Sequence, residues 1–160
     1  MIRLLPLLWR NRCHWAVFLV LIPLALLPET VRPLPAGPLP DGTAVQAGPW
    51  SARLWPLDDT PPQTAEGPYP EKEFFLHWCD GCAPAIRQAR LLVAPTPPAD
   101  STLRAEGAIL HGGVTTPSAH LPFPPQPPGT TPRLWLWVEG WDGQTHLTSL
   151  PLTATGQPAN

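Results

Sequence analysis

The chain has 160 residues, of which 26 are proline, a charged fraction of 14% and a formal net charge of −2. Because proline lacks a backbone donor and fixes φ, long helices are excluded from most of the chain after Pro28. The low charge excludes a basic nucleic-acid-binding surface, and eight tryptophans argue against a disordered chain. We therefore expect one small folded domain and no nucleic-acid partner.

The N-terminal segment carries a membrane-targeting signal. Residues 1–12 contain three arginines and no acidic residue, and residues 13–27 form an apolar run without formal charge. An excess of positive charge before such a run directs the N-terminus to the cytoplasm. We predict a cytoplasmic basic segment at 1–12, a single transmembrane helix that anchors the chain at 13–28, and export of the residues that follow.

The same segment leaves two alternatives open. Its fifteen apolar residues span ~23 Å as a helix, less than the ~30 Å hydrocarbon core, and this length also fits a cleavable signal peptide. A buried helix of a soluble protein is the other alternative. We favour the anchor because no small-x-small cleavage pattern follows the apolar run. The expected location is the cytoplasmic (inner) membrane, with a periplasmic or extracellular C-terminal domain.

The rest of the chain divides by composition. Residues 29–49 are rich in proline and glycine, and this composition predicts an extended tether that reaches ~3 Å per residue. We predict an exported β-rich domain at 50–152 and a C-terminal tail at 153–160.

Short segments that alternate between apolar and polar residues predict the strands of this domain. These segments are 50–57, 72–79, 103–111, 133–139 and 144–150. Residues 86–94 fit either a strand or a short helix, and proline-rich loops are expected at 58–70 and 121–132. Five or six short strands without a long helix predict a mostly β fold, either a small antiparallel β-sandwich or a partial barrel.

The last two predicted strands form a hairpin around the Asp-Gly pair at 142–143, a strong signal for a two-residue turn. Such a turn places Glu139 across from His146, on a face that also carries Trp135 and Trp137. The opposite face is aliphatic and is expected in the core. The two tryptophans form either a second packed layer or a binding surface for another membrane or periplasmic protein.

The motif His77-Trp78-Cys79-Asp80-Gly81-Cys82 ends one predicted strand. Exported proteins meet oxidising conditions, and two cysteines separated by two residues can close a small ring. The first interpretation is therefore a structural disulfide between Cys79 and Cys82. With so short a loop, its contribution to the free energy of unfolding is expected at or below the usual ~2–4 kcal/mol.

The second interpretation is a metal site. His77 and Cys79 lie two residues apart on a predicted strand, so their side chains share one face, and Cys82 follows in the turn. Imidazole and thiolate together predict copper or zinc as the bound metal. The candidates for a fourth ligand are His111, His120 and His146.

The third interpretation is thiol–disulfide exchange. Residues 74–82, Phe-Phe-Leu-His-Trp-Cys-Asp-Gly-Cys, resemble the active-site corner of the thioredoxin-like proteins, in which a strand leads through Trp-Cys-x-x-Cys into a helix. This resemblance covers about ten residues. It implies Cys79 as the attacking thiol, Cys82 as the resolving thiol and Pro117 as the cis-proline that faces the pair.

Motifs of other enzyme classes, such as G-x-S-x-G, a phosphate-binding loop or H-E-x-x-H, do not occur in the sequence. We therefore predict no catalytic residue and a membrane-anchored periplasmic accessory or binding module with a structural Cys79/Cys82 pair. The alternative is a membrane-tethered thiol oxidoreductase, or a copper- or zinc-handling protein that uses His77 together with the two cysteines.

Overall fold

The computed structural model describes residues 21–22, 39–64 and 67–159, and the chain forms two compact units, Met1–Leu39 and Pro40–Asn160. In the first unit, Leu21 and Ile22 are helical, and the rest of the predicted membrane segment at 13–28 lies outside the described residues. Within the described ranges, no helix has both the length and the apolar character needed to cross a membrane.

The second unit is built from two antiparallel sheets. Its strands are β1 (Thr43–Ala47), β2 (Trp50–Pro56), β3 (Gln63–Thr64), β4 (Pro70–Trp78), β5 (Ile86–Ala94), β6 (Ala108–Ile109), β7 (His111–Gly112), β8 (Pro117–Pro122), β9 (Arg133–Gly140) and β10 (Thr145–Pro151). The first sheet has the order β1-β2-β4-β8-β7, with β3 also paired to β4, and the second has the order β10-β9-β5-β6. A 3-10 turn (Ala83–Ala85) joins β4 to β5, and helix α1 (Asp100–Glu106) follows β5.

The core lies between the two sheets and consists of every second residue of their strands, as the period of a strand requires. The first sheet contributes Val45, Ala47, Trp50, Ala52, Leu54, Phe74, Leu76, Trp78, Ala119 and Leu121. The second contributes Ala89, Leu91, Val93, Leu134, Leu136 and Val138. Burial of each large side chain stabilises the fold by ~1.5–3 kcal/mol. The predicted mostly β fold is confirmed, and the two antiparallel sheets support the small β-sandwich of the two predicted alternatives.

Helix α1 adds a third layer on the outer face of the second sheet. Leu103 of the helix and Trp137 of β9 are both fully buried, and the Arg104 guanidinium lies 4.7 Å from the centroid of the Trp137 ring. Trp135 is 8% exposed, and its indole Nε1 donates to the carbonyl oxygen of Ala94 at 3.0 Å. This burial agrees with a packed layer and does not fit a partner-binding surface built on Trp135 and Trp137.

The loop of the last hairpin is one residue longer than predicted. The amide of Gly140 donates to the carbonyl of Gln144 at 3.0 Å, so three residues, 141–143, form the loop. Gly143 closes it with a φ of 78°, a left-handed conformation that glycine adopts without strain. A three-residue loop that ends in such a glycine suits the twist of a hairpin as a two-residue turn does.

This extra residue changes the register of the hairpin. Glu139 pairs with Thr145, and His146 pairs with Val138, so the predicted pair of Glu139 and His146 is wrong. His146 therefore points to the inner side, where its ring meets Trp50 edge-to-face with 5.4 Å between the centroids. A shift of one residue moves a side chain to the other face of a strand.

The structure also differs from the predicted elements at the tether, at residues 103–111 and at β8. The predicted tether at 29–49 is too long, because β1 begins at Thr43 and buries Val45 and Ala47. The strand predicted at 103–111 is wrong, because α1 extends to Glu106 and only two short strands follow it. The strand β8 was not predicted, since prolines stand at both of its ends.

A buried lysine holds the end of the sandwich at which β4 begins. The Lys72 side chain is 4% exposed, and its ammonium donates to the carbonyl of Thr60 and, at 3.4 Å, to that of Thr155. Burial lowers the pKa of Lys72, while the carboxylates of Asp58 and Asp59 act in the opposite direction. One ammonium thus connects the loop after β2 to the C-terminal segment.

We expect Gly48→Ala to destabilise the domain more than Gly143→Ala. Both glycines have positive φ, 59° and 78°, so each substitution costs ~1–2 kcal/mol in backbone strain. A Cβ at position 48 would in addition overlap the imidazole ring of His146, whereas nothing lies within 4 Å of a Cβ at position 143. The extra crowding should cost a further ~1–3 kcal/mol, measured by urea denaturation. Equal losses for the two variants would show that His146 does not pack against the β1–β2 turn.

Candidate functional site

Four loops meet at the end of the sandwich at which β4 finishes, which we call the disulfide end. Three backbone amides there donate to backbone carbonyl oxygens. The donor and acceptor residues are Cys79 and Ser51 at 2.9 Å, Trp78 and Thr115 at 3.0 Å, and Trp141 and Ala85 at 3.4 Å. These backbone hydrogen bonds bring together the loops 48–49, 79–85, 113–116 and 141–143.

The disulfide end takes its name from Cys79 and Cys82, which lie at disulfide-bonding distance with their Cα atoms 5.3 Å apart. The amide of Cys82 donates to the carbonyl of Cys79, and Gly81 between them has a φ of 74°. The ring therefore closes a tight turn that only a residue tolerant of positive φ completes without strain. This turn begins the crossing of the chain from the first sheet to the second.

The residues after Cys82 do not form the helix that the thioredoxin-like resemblance implies. The 3-10 turn with Pro84 at its start leads directly into β5. The helix dipole that activates the first thiol in that family therefore has no counterpart here. Among the described residues every peptide bond is trans, so Pro117 is not the cis-proline that the resemblance implies.

The predicted metal ligands are engaged in other contacts. The sulfur atoms of Cys79 and Cys82 are bonded to each other, and Nδ1 of His77 lies 2.7 Å from the Thr116 hydroxyl. In the part of the chain that the structure describes, no group of three or more histidine, cysteine or carboxylate side chains is placed to hold a metal ion. Of the three candidates for a fourth ligand, His146 faces Trp50, whereas His111 and His120 lie beside each other.

Two apolar side chains at the disulfide end are open to solvent. Trp141, in the loop between β9 and β10, is 70% exposed, and Val114, in the loop between β7 and β8, is 78% exposed. The sequence analysis did not single out either residue. The sequence could have indicated the exposure of Trp141, because this residue lies inside a predicted turn, where no neighbouring strand can cover an indole ring.

A cleft of about 220 Å³ lies beside Val114, between the two sheets. Its walls are apolar at Trp78, Ile86 and Leu110 and polar at Arg87 and Gln88, in nearly equal parts. The cleft opens where β6 stops pairing with β5, since that pairing is limited to Arg90 and Leu91. The disulfide end thus combines exposed apolar side chains with a shallow cleft.

A buried carboxylate organises the outer face of the second sheet. Glu139 is 4% exposed and accepts hydrogen bonds from the Gln88 amide and, at 3.1 Å each, from the guanidinium groups of Arg87 and Arg104. The hydrogen bond from Gln88 lowers the pKa of Glu139; burial opposes this, and the two arginines lower the pKa further. The carboxylate therefore links β9 to both β5 and α1.

We expect Glu139→Gln to lower stability at neutral pH and to reduce the sensitivity of the domain to acid. The folded pKa of Glu139 lies below its ordinary value of 4.5, so its stabilisation is complete above pH 4.5 and is lost as the pH falls through the folded pKa. Urea midpoints at pH 7 and pH 3 measure the difference between variant and parent, which should shrink at the lower pH. The matched control is Glu106→Gln, at an exposed position at the end of helix α1. A difference that stays constant or grows on acidification would contradict the role of the Glu139 charge.

For the disulfide, we expect a structural bond that is hard to reduce. In a Cys13→Ser background, the reduction potential of Cys79 and Cys82 should lie below about −300 mV, as in structural disulfides. Replacing both cysteines by serine should lower the free energy of unfolding by ~2 kcal/mol or less, because the closed loop is short. Equilibration with redox buffers and urea denaturation supply the two values. A potential above about −230 mV would instead favour the oxidoreductase alternative.

A family model described as "Uncharacterised conserved protein UCP029505" matches residues 7–153 of the chain. The matched range contains the N-terminal apolar segment and all ten strands of the second unit. No curated protein and no solved structure matches the chain.

Proposed function

The chain belongs to the family whose model it matches, and we propose that it is a membrane-anchored accessory or binding module. Its sandwich domain lies on the periplasmic or outer side of the membrane and contacts another membrane or periplasmic protein through the disulfide end. The observation that carries this proposal is the exposure of Trp141 and Val114 on two loops of the same end.

The attachment to the membrane is supported by the sequence of the N-terminal segment. Residues 13–28 are apolar; three arginines precede them, and one, Arg32, follows in the next ten residues. This charge distribution favours an N-terminus in the cytoplasm and a C-terminal domain on the opposite side.

The disulfide end has the properties of a contact surface for a protein. Tryptophan is enriched among the residues that contribute most to protein–protein affinity, because it buries a large rigid surface. Trp141 is followed by Asp142, whose carboxylate accepts the amide of Gln144 at 3.0 Å and fixes the loop. Because the backbone of this loop is fixed before binding, the loop loses little conformational entropy when a partner covers Trp141.

The disulfide supports this surface without taking part in chemistry. It fixes the 79–85 connection, and Ala85 of that connection accepts the hydrogen bond from the Trp141 amide. Val114 is held through the neighbouring Thr115, which accepts the amide of Trp78 at the end of β4. The backbones of the two loops that carry these side chains are thus hydrogen-bonded to the end of β4 and to the connection that follows it.

Site-directed photocrosslinking in cells that express the full chain tests the proposal. A photoreactive phenylalanine analogue at position 141 or at position 114 should give the same adduct, of one defined mass. The matched controls are Leu57 and Tyr69, which are 59% and 41% exposed at the opposite end of the sandwich and should give no such adduct. Trp141→Ser should reduce the adduct formed from position 114 at least fivefold, while the melting temperature stays unchanged.

Two results would contradict the proposal. Adducts of equal yield from both ends of the sandwich, or none from positions 114 and 141, would exclude the disulfide end as the contact surface.

The same cells test the membrane anchor, because the protein should stay in the membrane fraction at high pH. A mature N-terminus between Pro28 and Gly48 would show that the segment is cleaved.

A further inference from the structure

Two histidines form a side-by-side pair on the outer face of the first sheet. His111 of β7 pairs with Ser118 of β8, and His120 follows two residues later on the same face of β8. Their ring centroids are 6.4 Å apart, the ring planes differ by 22°, and both side chains are exposed. The two histidines are nine positions apart along the chain, and the turn between β7 and β8 brings them together.

The separation of the rings matches the reach of one metal ion. Copper and zinc bind imidazole nitrogen at ~2.0–2.1 Å, so the ion lies ~3.2 Å from the centre of the ring it binds. Two ring centres can therefore share one ion up to ~6.4 Å apart, a limit reached when the ion lies on the line between them, and the observed separation lies at this limit. Exposed side chains change rotamer on the ps–ns timescale, and a small rotation of either ring shortens the separation further.

The charge near the pair favours a cation. His120 lines a cavity of about 180 Å³ together with Asp58, Glu71 and Glu73, and Glu73 is its direct cross-strand neighbour. The one ammonium in this lining, that of Lys72, lies 4.0 Å from the Asp58 carboxylate and offsets its charge, so Glu71 and Glu73 leave the lining with a net negative charge. Carboxylates close to a bound histidine lower the energy of the metal complex by their charge.

We propose that His111 and His120 together bind one divalent transition-metal ion, with Cu²⁺ bound more tightly than Ni²⁺ or Zn²⁺. Each ring supplies one nitrogen, and water or a group from a partner molecule fills the other positions. Copper leads because the affinity of nitrogen sites for divalent metals rises to a maximum at copper. This site is separate from Cys79 and Cys82, and it does not depend on the proposed contact surface.

Paramagnetic broadening locates the ion directly. In the ¹⁵N-labelled full chain in detergent micelles, CuCl₂ added below one equivalent should broaden the amide signals of β7 and β8 and those of Glu71 to Glu73. Either His111→Ala or His120→Ala should weaken binding at that place at least tenfold. The double variant should bind no more than about twofold more weakly than either single one, because one ligand alone no longer chelates.

The matched control is His77→Ala, whose imidazole is engaged with Thr116 on the same face of the first sheet. It should leave the affinity and the broadened signals within twofold of the parent chain. The proposal would be overturned if each of the two single variants bound Cu²⁺ with an affinity within twofold of that of the parent chain. Broadening that is confined to residues outside β4, β7 and β8 would also overturn it.

Discussion

The sandwich depends on the connection that carries the chain from β4 to β5. Each of these strands has partners on both sides, β2 and β8 for β4, and β9 and β6 for β5, and residues 79–85 join them directly. The connection makes its own hydrogen bonds, from Cys82 to Cys79 and from Ala85 to Cys82, and the disulfide closes the first of these turns. A short local segment therefore joins the inner strands of the two sheets, and the other strands pair outward from them.

The sequence predicts the buried faces well and the strand pairing poorly. Residues 72–79 were predicted as an alternating strand, and its alternate residues Phe74, Leu76 and Trp78 are all buried, because alternation is a local property of the chain. The hairpin register differs by one residue, since an Asp-Gly pair fits both two- and three-residue loops. The strand β8 escaped prediction because its prolines suggest a loop, whereas its interior residues Ala119 and Leu121 are fully buried.

The candidate site is predictable only where it is local. Cys79 and Cys82 are close in the chain, and so their spacing already offers a disulfide as one interpretation. The exposure of Trp141 depends on which loops surround it, and the adjacency of His111 and His120 depends on a strand pair formed by a two-residue strand. Such short pairings carry almost no pattern in the sequence, because a strand of two residues has no period to detect.

Lys72 is the only lysine of the chain, and its ammonium is enclosed by two backbone carbonyls. Amine-directed reagents, and enzymes that acylate or cleave at lysine, therefore find no accessible lysine on the folded sandwich. A reagent reaches Lys72 only when the C-terminal segment or the loop after β2 separates from the sheet. The rate of acylation at Lys72 consequently measures how often that end of the domain opens. The chain thus contains its own reporter of local unfolding.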